Sequence, residues 1–79
     1  MKKVKMYTTS TCMYCKLAKD YFNANNVPFE EYNVGTDIEK RKEMLELTGQ
    51  MGVPVIMIEG HDEPVIGFDK PVIVKALGL

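Results

Sequence analysis

Seventy-nine residues, 46% hydrophobic and 27% charged, suit one small domain spanning 1–79 and exclude a collagen-like or low-complexity chain. Ten Lys and Arg against eleven Asp and Glu leave a formal charge of −1, without the basic footprint of a nucleic-acid binder. No apolar run approaches the ~20 residues that span a bilayer. The basic opening Met1-Lys2-Lys3-Val4-Lys5 is not followed by the apolar stretch of a signal peptide, so a cytoplasmic, monomeric protein away from membranes is expected.

Val4, Met6 and Thr8 alternate with Lys5 and Tyr7, which suits a first strand. Thr8-Thr9-Ser10-Thr11 then offers four hydroxyl groups, any of which can cap a helix. From Cys15 the pattern is helical, with Cys15, Ala18 and Phe22 on one stripe, Leu17 and Tyr21 beside it, and Lys16, Lys19 and Asp20 opposite. Asn23 to Asn26 and Pro28 end that helix. Phe29 to Val34 reads as a second strand, and Gly35-Thr36-Asp37 as a turn with a helix cap. In the second helix Ile38, Leu45 and Thr48 form an apolar stripe widened by Met44 and Leu47, Lys40-Arg41-Lys42 its solvated face, and Gly49 its stop. The run Val55 to Ile58 suits a buried strand. Glu59-Gly60-His61-Asp62-Glu63 is a polar turn, and Pro64 to Phe68 carries the returning strand of a hairpin. A last helix starts at Asp69 or Lys70, with Pro71 in its first turn and Val72, Ile73, Ala76 and Leu77 as its apolar stripe. The order β-α-β-α-β-β-α predicts an α/β protein: a mixed four-stranded sheet with helices on both faces, the first two strands parallel through a crossover helix and the last two antiparallel.

The two cysteines, Cys12 and Cys15, are spaced C-x-x-C, which in a chain of this kind signals redox chemistry or a metal. Cys12 falls between a strand and the first turn of a helix, where unpaired backbone N–H groups and the helix dipole favour a negatively charged sulfur. Lys16, one turn on, adds a positive charge. Cys12 is therefore the expected attacking thiolate. Cys15, deeper in the helix, resolves the mixed disulfide by thiol–disulfide exchange. Val53-Pro54 directly precedes the buried strand, where a proline that cannot donate to the ladder belongs.

Thr8 to Lys16, Leu47 to Pro54 and Ile66-Gly67-Phe68-Asp69 together resemble the glutaredoxin family, in order and with its spacing. The resemblance implies a thioredoxin fold, a cis Val53–Pro54 bond, Cys12 as nucleophile and Cys15 as resolver. It implies substrate contacts from Tyr14, Val53, Pro54, Gly67, Phe68 and Asp69, with glutathione as reductant or co-substrate and no tightly bound cofactor. Several positions depart from the family. Met13 stands where proline usually follows the first cysteine, Thr9 where a basic residue is usual, Met51 where arginine is frequent and Gly52 where threonine precedes Val-Pro. Two basic contacts to the glutathione carboxylates are therefore missing. Gly67-Phe68, in place of a double glycine, resembles the small redoxins that serve ribonucleotide reductase and are recharged by thioredoxin reductase. The expected function is thiol–disulfide exchange with disulfide-bearing proteins as substrates and glutathione or thioredoxin reductase as donor.

The rival reading is a soft-metal carrier, since Cu(I) also favours thiolate pairs placed between a strand and a helix. Such carriers run β-α-β-β-α-β, and this chain reads as ending in a helix. A structural zinc site needs four ligands, so Cys12, Cys15 and His61 would require a dimer, as would a bridged iron–sulfur cluster. His61 with Glu59, Asp62 and Glu63 reads as a solvated turn. Met44 and Met57 occupy core-like positions, and Tyr7, Phe22 and Phe29 read as core. Tyr14 and Phe68 are expected beside Cys12.

Overall fold

The computed structural model describes residues 2–79, and Met1 of the basic opening segment lies outside them. Strand β1 (Val4–Thr8) leads to α1 (Met13–Ala24), β2 (Glu30–Asn33), α2 (Ile38–Thr48), β3 (Val55–Ile58), β4 (Val65–Ile66) and α3 (Lys70–Leu77). The expected element order holds, and the chain described here ends in a helix. The sheet runs β2-β1-β3-β4. β1 pairs β2 in parallel, with Thr8 opposite Asn33 and Met6 opposite Glu31. β3 pairs antiparallel with both β1 and β4, Tyr7 facing Val55 and Ile56 facing Val65. No helix among the described residues is long and apolar enough to cross a membrane.

The period-two alternation of β1 and β3 divides the interior into two clusters, one on each face of the sheet. On one face Val4, Met6, Ile56 and Ile58 pack with Cys15, Ala18 and Phe22 of α1 and Ile73 and Ala76 of α3. On the other face Tyr7, Val34 and Val55 pack with Met44 of α2. The stripe expected along α2 is much narrower in the structure. Ile38, Leu45 and Leu47 are exposed, and Met44 is the residue of that helix which is fully buried. Met44 is the side chain by which α2 enters the cluster with Tyr7, Val34 and Val55. The expected solvated face of α2 is also partly engaged: Lys40 donates to Glu43 at 3.1 Å and lies 4.2 Å over the Tyr32 ring. Met57 and Phe29 pack against the clusters from half-buried positions rather than inside them.

Local signals explain the boundaries. Asp37 caps α2 by accepting the Lys40 N–H at 3.1 Å, and Gly49 ends it in the left-handed region at φ 68°. β2 is shorter than expected by one residue at each end. β4 holds only two residues, because Gly67 turns the chain out of the ladder at φ 83° and its N–H bonds the Pro54 carbonyl at 2.8 Å.

Candidate redox site

The turn after β1 delivers Cys12 to the N-cap of α1, at φ −87° and ψ 113°. Its Sγ accepts the Cys15 N–H at 3.1 Å. The expected cap was one of the hydroxyls of Thr8 to Thr11, and the sulfur itself takes that place. Thr8 is instead buried at 1% exposure and donates its hydroxyl to Glu31 at 2.8 Å. The Cys12 thiol also donates to the Val53 carbonyl at 3.7 Å, a contact that joins the α1 turn to the segment before β3. Cys12 is half-buried and Cys15 is 1% exposed, and both are free thiols. Burial, then the hydrogen bond shared with Cys12, push the Cys15 thiol up to about 12, against the opposing pull of the Thr9 backbone N–H and the Lys19 charge. The N-terminal turn of α1 thus presents one reachable sulfur and holds a second, protonated sulfur beneath it.

The remaining sequence candidates are only partly drawn together. Val53–Pro54 is a cis peptide bond, with Val53 half-buried against both clusters and Pro54 fully buried. The Pro54 carbonyl ties this segment to Gly67. Phe68 is half-buried, packing against the α1/α3 cluster with its ring 5.8 Å from Tyr21. Tyr14, at 62% exposure, stands at the surface beside Met13 at 73%. Asp69 is the exposed N-cap of α3, and its side chain makes no cap bond. Met51 is exposed on the segment leading to Val53.

Gly52, the departure just before Val53, has a local cause. The Gln50 side chain accepts the Gly52 N–H and donates to the Gly52 carbonyl at 3.1 Å. A Cβ at Gly52 would meet Gln50 Oε1 at 2.6 Å, so a threonine there requires the glutamine side chain to shift.

A groove of about 620 Å³ opens beside Cys12, lined among others by Thr8, Ser10, Lys16, Lys19 and Glu31. Sequence reasoning placed Lys19 on the solvated side of α1 and gave Glu31 no role. In the structure Lys19 Nζ lies 3.0 Å from Glu31 Oε2. Burial would raise the Glu31 carboxyl, but the hydrogen bonds from Lys19 and Thr8 outweigh it and hold the group low. The available signal was the spacing of Cys15 and Lys19, four residues apart and therefore on one helical face. Among the described residues no three His, Cys, Asp or Glu side chains converge as a metal site. His61 lines a separate pocket with Lys2 and Lys75.

A mixed four-stranded sheet flanked by three helices, with a C-x-x-C pair opening the first of them, defines the thioredoxin fold, and the pair fits a redox function. The glutaredoxin family model matches residues 4–62. The chain is 42% identical over 74 residues to an uncharacterized glutaredoxin-like 8.6 kDa protein in the rubredoxin operon of Clostridium pasteurianum, covering 94% of this chain and 96% of that one. Among solved structures it is similar to a mutant of the thioredoxin-like protein BC3987, at TM-score 0.87 and 29% identity, with 99% of this chain and 97% of that one covered. It is also similar to the NrdH-redoxin from Escherichia coli, a glutaredoxin-like protein with a thioredoxin-like activity profile, at TM-score 0.77 and 26% identity, 92% of each chain being covered. The chain belongs to the glutaredoxin family.

Proposed function

We propose that this protein is a dithiol oxidoreductase that reduces disulfides of other proteins, or their mixed disulfides with glutathione, through Cys12 and Cys15. The observation that carries this reading is the division of labour at the start of α1: a half-buried sulfur at the helix N-cap and a buried thiol three residues on. Cys12 attacks a substrate disulfide and releases one substrate sulfur. Cys15 then attacks Cys12, the second substrate sulfur leaves, and the Cys12–Cys15 disulfide forms. Two electrons pass from the cysteine pair to the substrate, and an external donor restores the dithiol.

The donor favoured is thioredoxin reductase rather than glutathione. Thr9 and Met51 supply no cation for a glutathione carboxylate, and the Gln50 side chain occupies the space a residue larger than Gly52 would use. The likeness to the NrdH-redoxin, with its thioredoxin-like activity profile, supports the same choice, and the resemblance of Gly67-Phe68 to redoxins that serve ribonucleotide reductase makes that enzyme the first client to test. Tyr14, Val53, Pro54, Gly67, Phe68 and Asp69 are the substrate contacts in this reading, and the cytoplasm is its compartment. The test is insulin-disulfide reduction driven by NADPH with thioredoxin reductase, compared with NADPH, glutathione reductase and glutathione. Faster turnover with thioredoxin reductase is expected. Turnover with glutathione alone overturns the choice of donor, and turnover unaffected by Cys12→Ser overturns the enzymatic reading.

A further inference from the structure

Cys15 has to lose its proton before it can attack, yet it sits in an apolar cluster with Phe22, Ile56, Val65 and Ile73. Few polar groups reach it. Cys12 shares a hydrogen bond with it, the Thr9 N–H comes from the turn after β1, and the Lys19 charge, the weakest of these influences in the reduced protein, comes from its own helix. Lys19 is the one cation of this set, and it follows Cys15 by four residues, one turn along the same face of α1. A lysine is flexible and strongly hydrated, and would ordinarily carry its ammonium into solvent.

Here the ammonium is tethered. Lys19 Nζ lies 3.0 Å from Glu31 Oε2 on β2, and the same carboxylate oxygen accepts the Thr8 hydroxyl at 2.8 Å. Thr8 is 1% exposed, so the far end of this chain is anchored inside the protein. The three side chains line the groove that reaches Cys12, which opens the same space to solvent. Lys19 and Glu31 are about a third exposed (33% and 36%), so the pair contributes little to folding, while its geometry keeps the ammonium near α1. Lys16, the other cation of the groove, is exposed.

We propose that Thr8, Glu31 and Lys19 form a positioning chain for the resolving step, which holds a positive charge one turn from Cys15 where it favours the thiolate. The inference rests on the reading of Cys15 as the resolving cysteine. The Cys15 thiol gives its proton to solvent, its thiolate attacks Cys12 Sγ of the mixed disulfide, the Cys12–substrate S–S bond breaks, and the substrate sulfur leaves with the electron pair.

The test separates attack from resolution with an uncharged probe, 4,4′-dithiodipyridine, followed by stopped-flow absorbance. The wild-type protein is expected to release two thiopyridone equivalents in two phases, the first from Cys12 and the second from Cys15. Lys19→Met is expected to leave the first phase unchanged and to slow the second about three- to tenfold at neutral pH, with its pH profile displaced upward. Lys19→Arg restores the second phase, and Glu31→Gln slows it by a smaller factor. The unchanged first phase also shows that the variant is folded. A second phase equal to wild type in Lys19→Met, or both phases slowed by one factor, overturns the proposal. A first phase that slows only with an anionic disulfide, with the second phase unchanged, makes Lys19 a steering residue and overturns it as well. A wild-type protein that releases a single equivalent, as Cys15→Ser is expected to, removes the resolving role of Cys15 and the positioning role with it.

Discussion

The two faces of the sheet are built differently. The face covered by α1 and α3 carries the larger cluster, with Phe22, Ile56 and Ile73 fully buried, and both cysteines belong to it. The face covered by α2 is closed by Met44 over Tyr7, Val34 and Val55, and it finishes in polar contacts. There the buried Tyr7 donates its hydroxyl to Glu43, which also binds Lys40. The contrast follows the need for rigidity. A buried thiol must be held against a half-buried one within a single helical turn, and the thicker core lies under that turn. The α2 face carries no redox residue and tolerates a thinner seal.

Four experiments test this contrast. The largest effect is expected from the cysteines themselves: Cys12→Ser abolishes turnover, and Cys15→Ser traps a mixed disulfide visible on a non-reducing gel, while Met44→Ala on the opposite face leaves the chemistry intact. Core truncations come next. Phe22→Ala is expected to cost about 3–5 kcal/mol and Met44→Ala about 2–3 kcal/mol in urea unfolding of the reduced protein, because Met44 is the smaller side chain and sits in the smaller cluster. Equal losses would remove the contrast between the faces.

The third experiment is alkaline titration. The Cys15 thiol rises from 9.0 to about 12 in the folded chain. The unfolded chain therefore releases this proton first, so the stability it contributes is complete below pH 9 and is lost as pH rises toward 12. Burial, then the hydrogen bond to Glu43, likewise raise Tyr7, so the α2 face adds a loss that begins above pH 10. Cys15→Ala should flatten the earlier part of the alkaline limb and Tyr7→Phe the later part, read from urea midpoints. The smallest effect is expected from Tyr7→Phe at neutral pH, roughly 0.5–1.5 kcal/mol for one hydrogen bond to a partly exposed carboxylate.

The element order was legible because local signals agree with the fold: alternation in β1, the continuous apolar run of β3, Asp37 and Gly49 around α2, and Pro71 in the first turn of α3. The cysteine pair was legible for the same reason, since its spacing and its place at a strand–helix junction are both local. Relations between distant residues were not. The hydroxyl-rich turn pointed to an oxygen cap, but the residue at the N-cap is Cys12 and its sulfur accepts the Cys15 N–H, while Thr8 ends β1 and binds Glu31. Lys19 read as solvated because its partner lies on another element. The α2 stripe read too wide because the area of sheet waiting beneath a helix is not written in that helix. The order β2-β1-β3-β4 likewise depends on pairings that no local pattern records.

Cys12 and Cys15 are expected to interconvert between dithiol and disulfide. The most direct measurement is mass spectrometry of the acid-quenched protein after equilibration across defined ratios of reduced to oxidised glutathione. A loss of two hydrogens with no adduct is expected to dominate under oxidising ratios, and its midpoint gives the potential of the pair. A protein that stays a dithiol across the series, or that carries only a single glutathione adduct, contradicts the account.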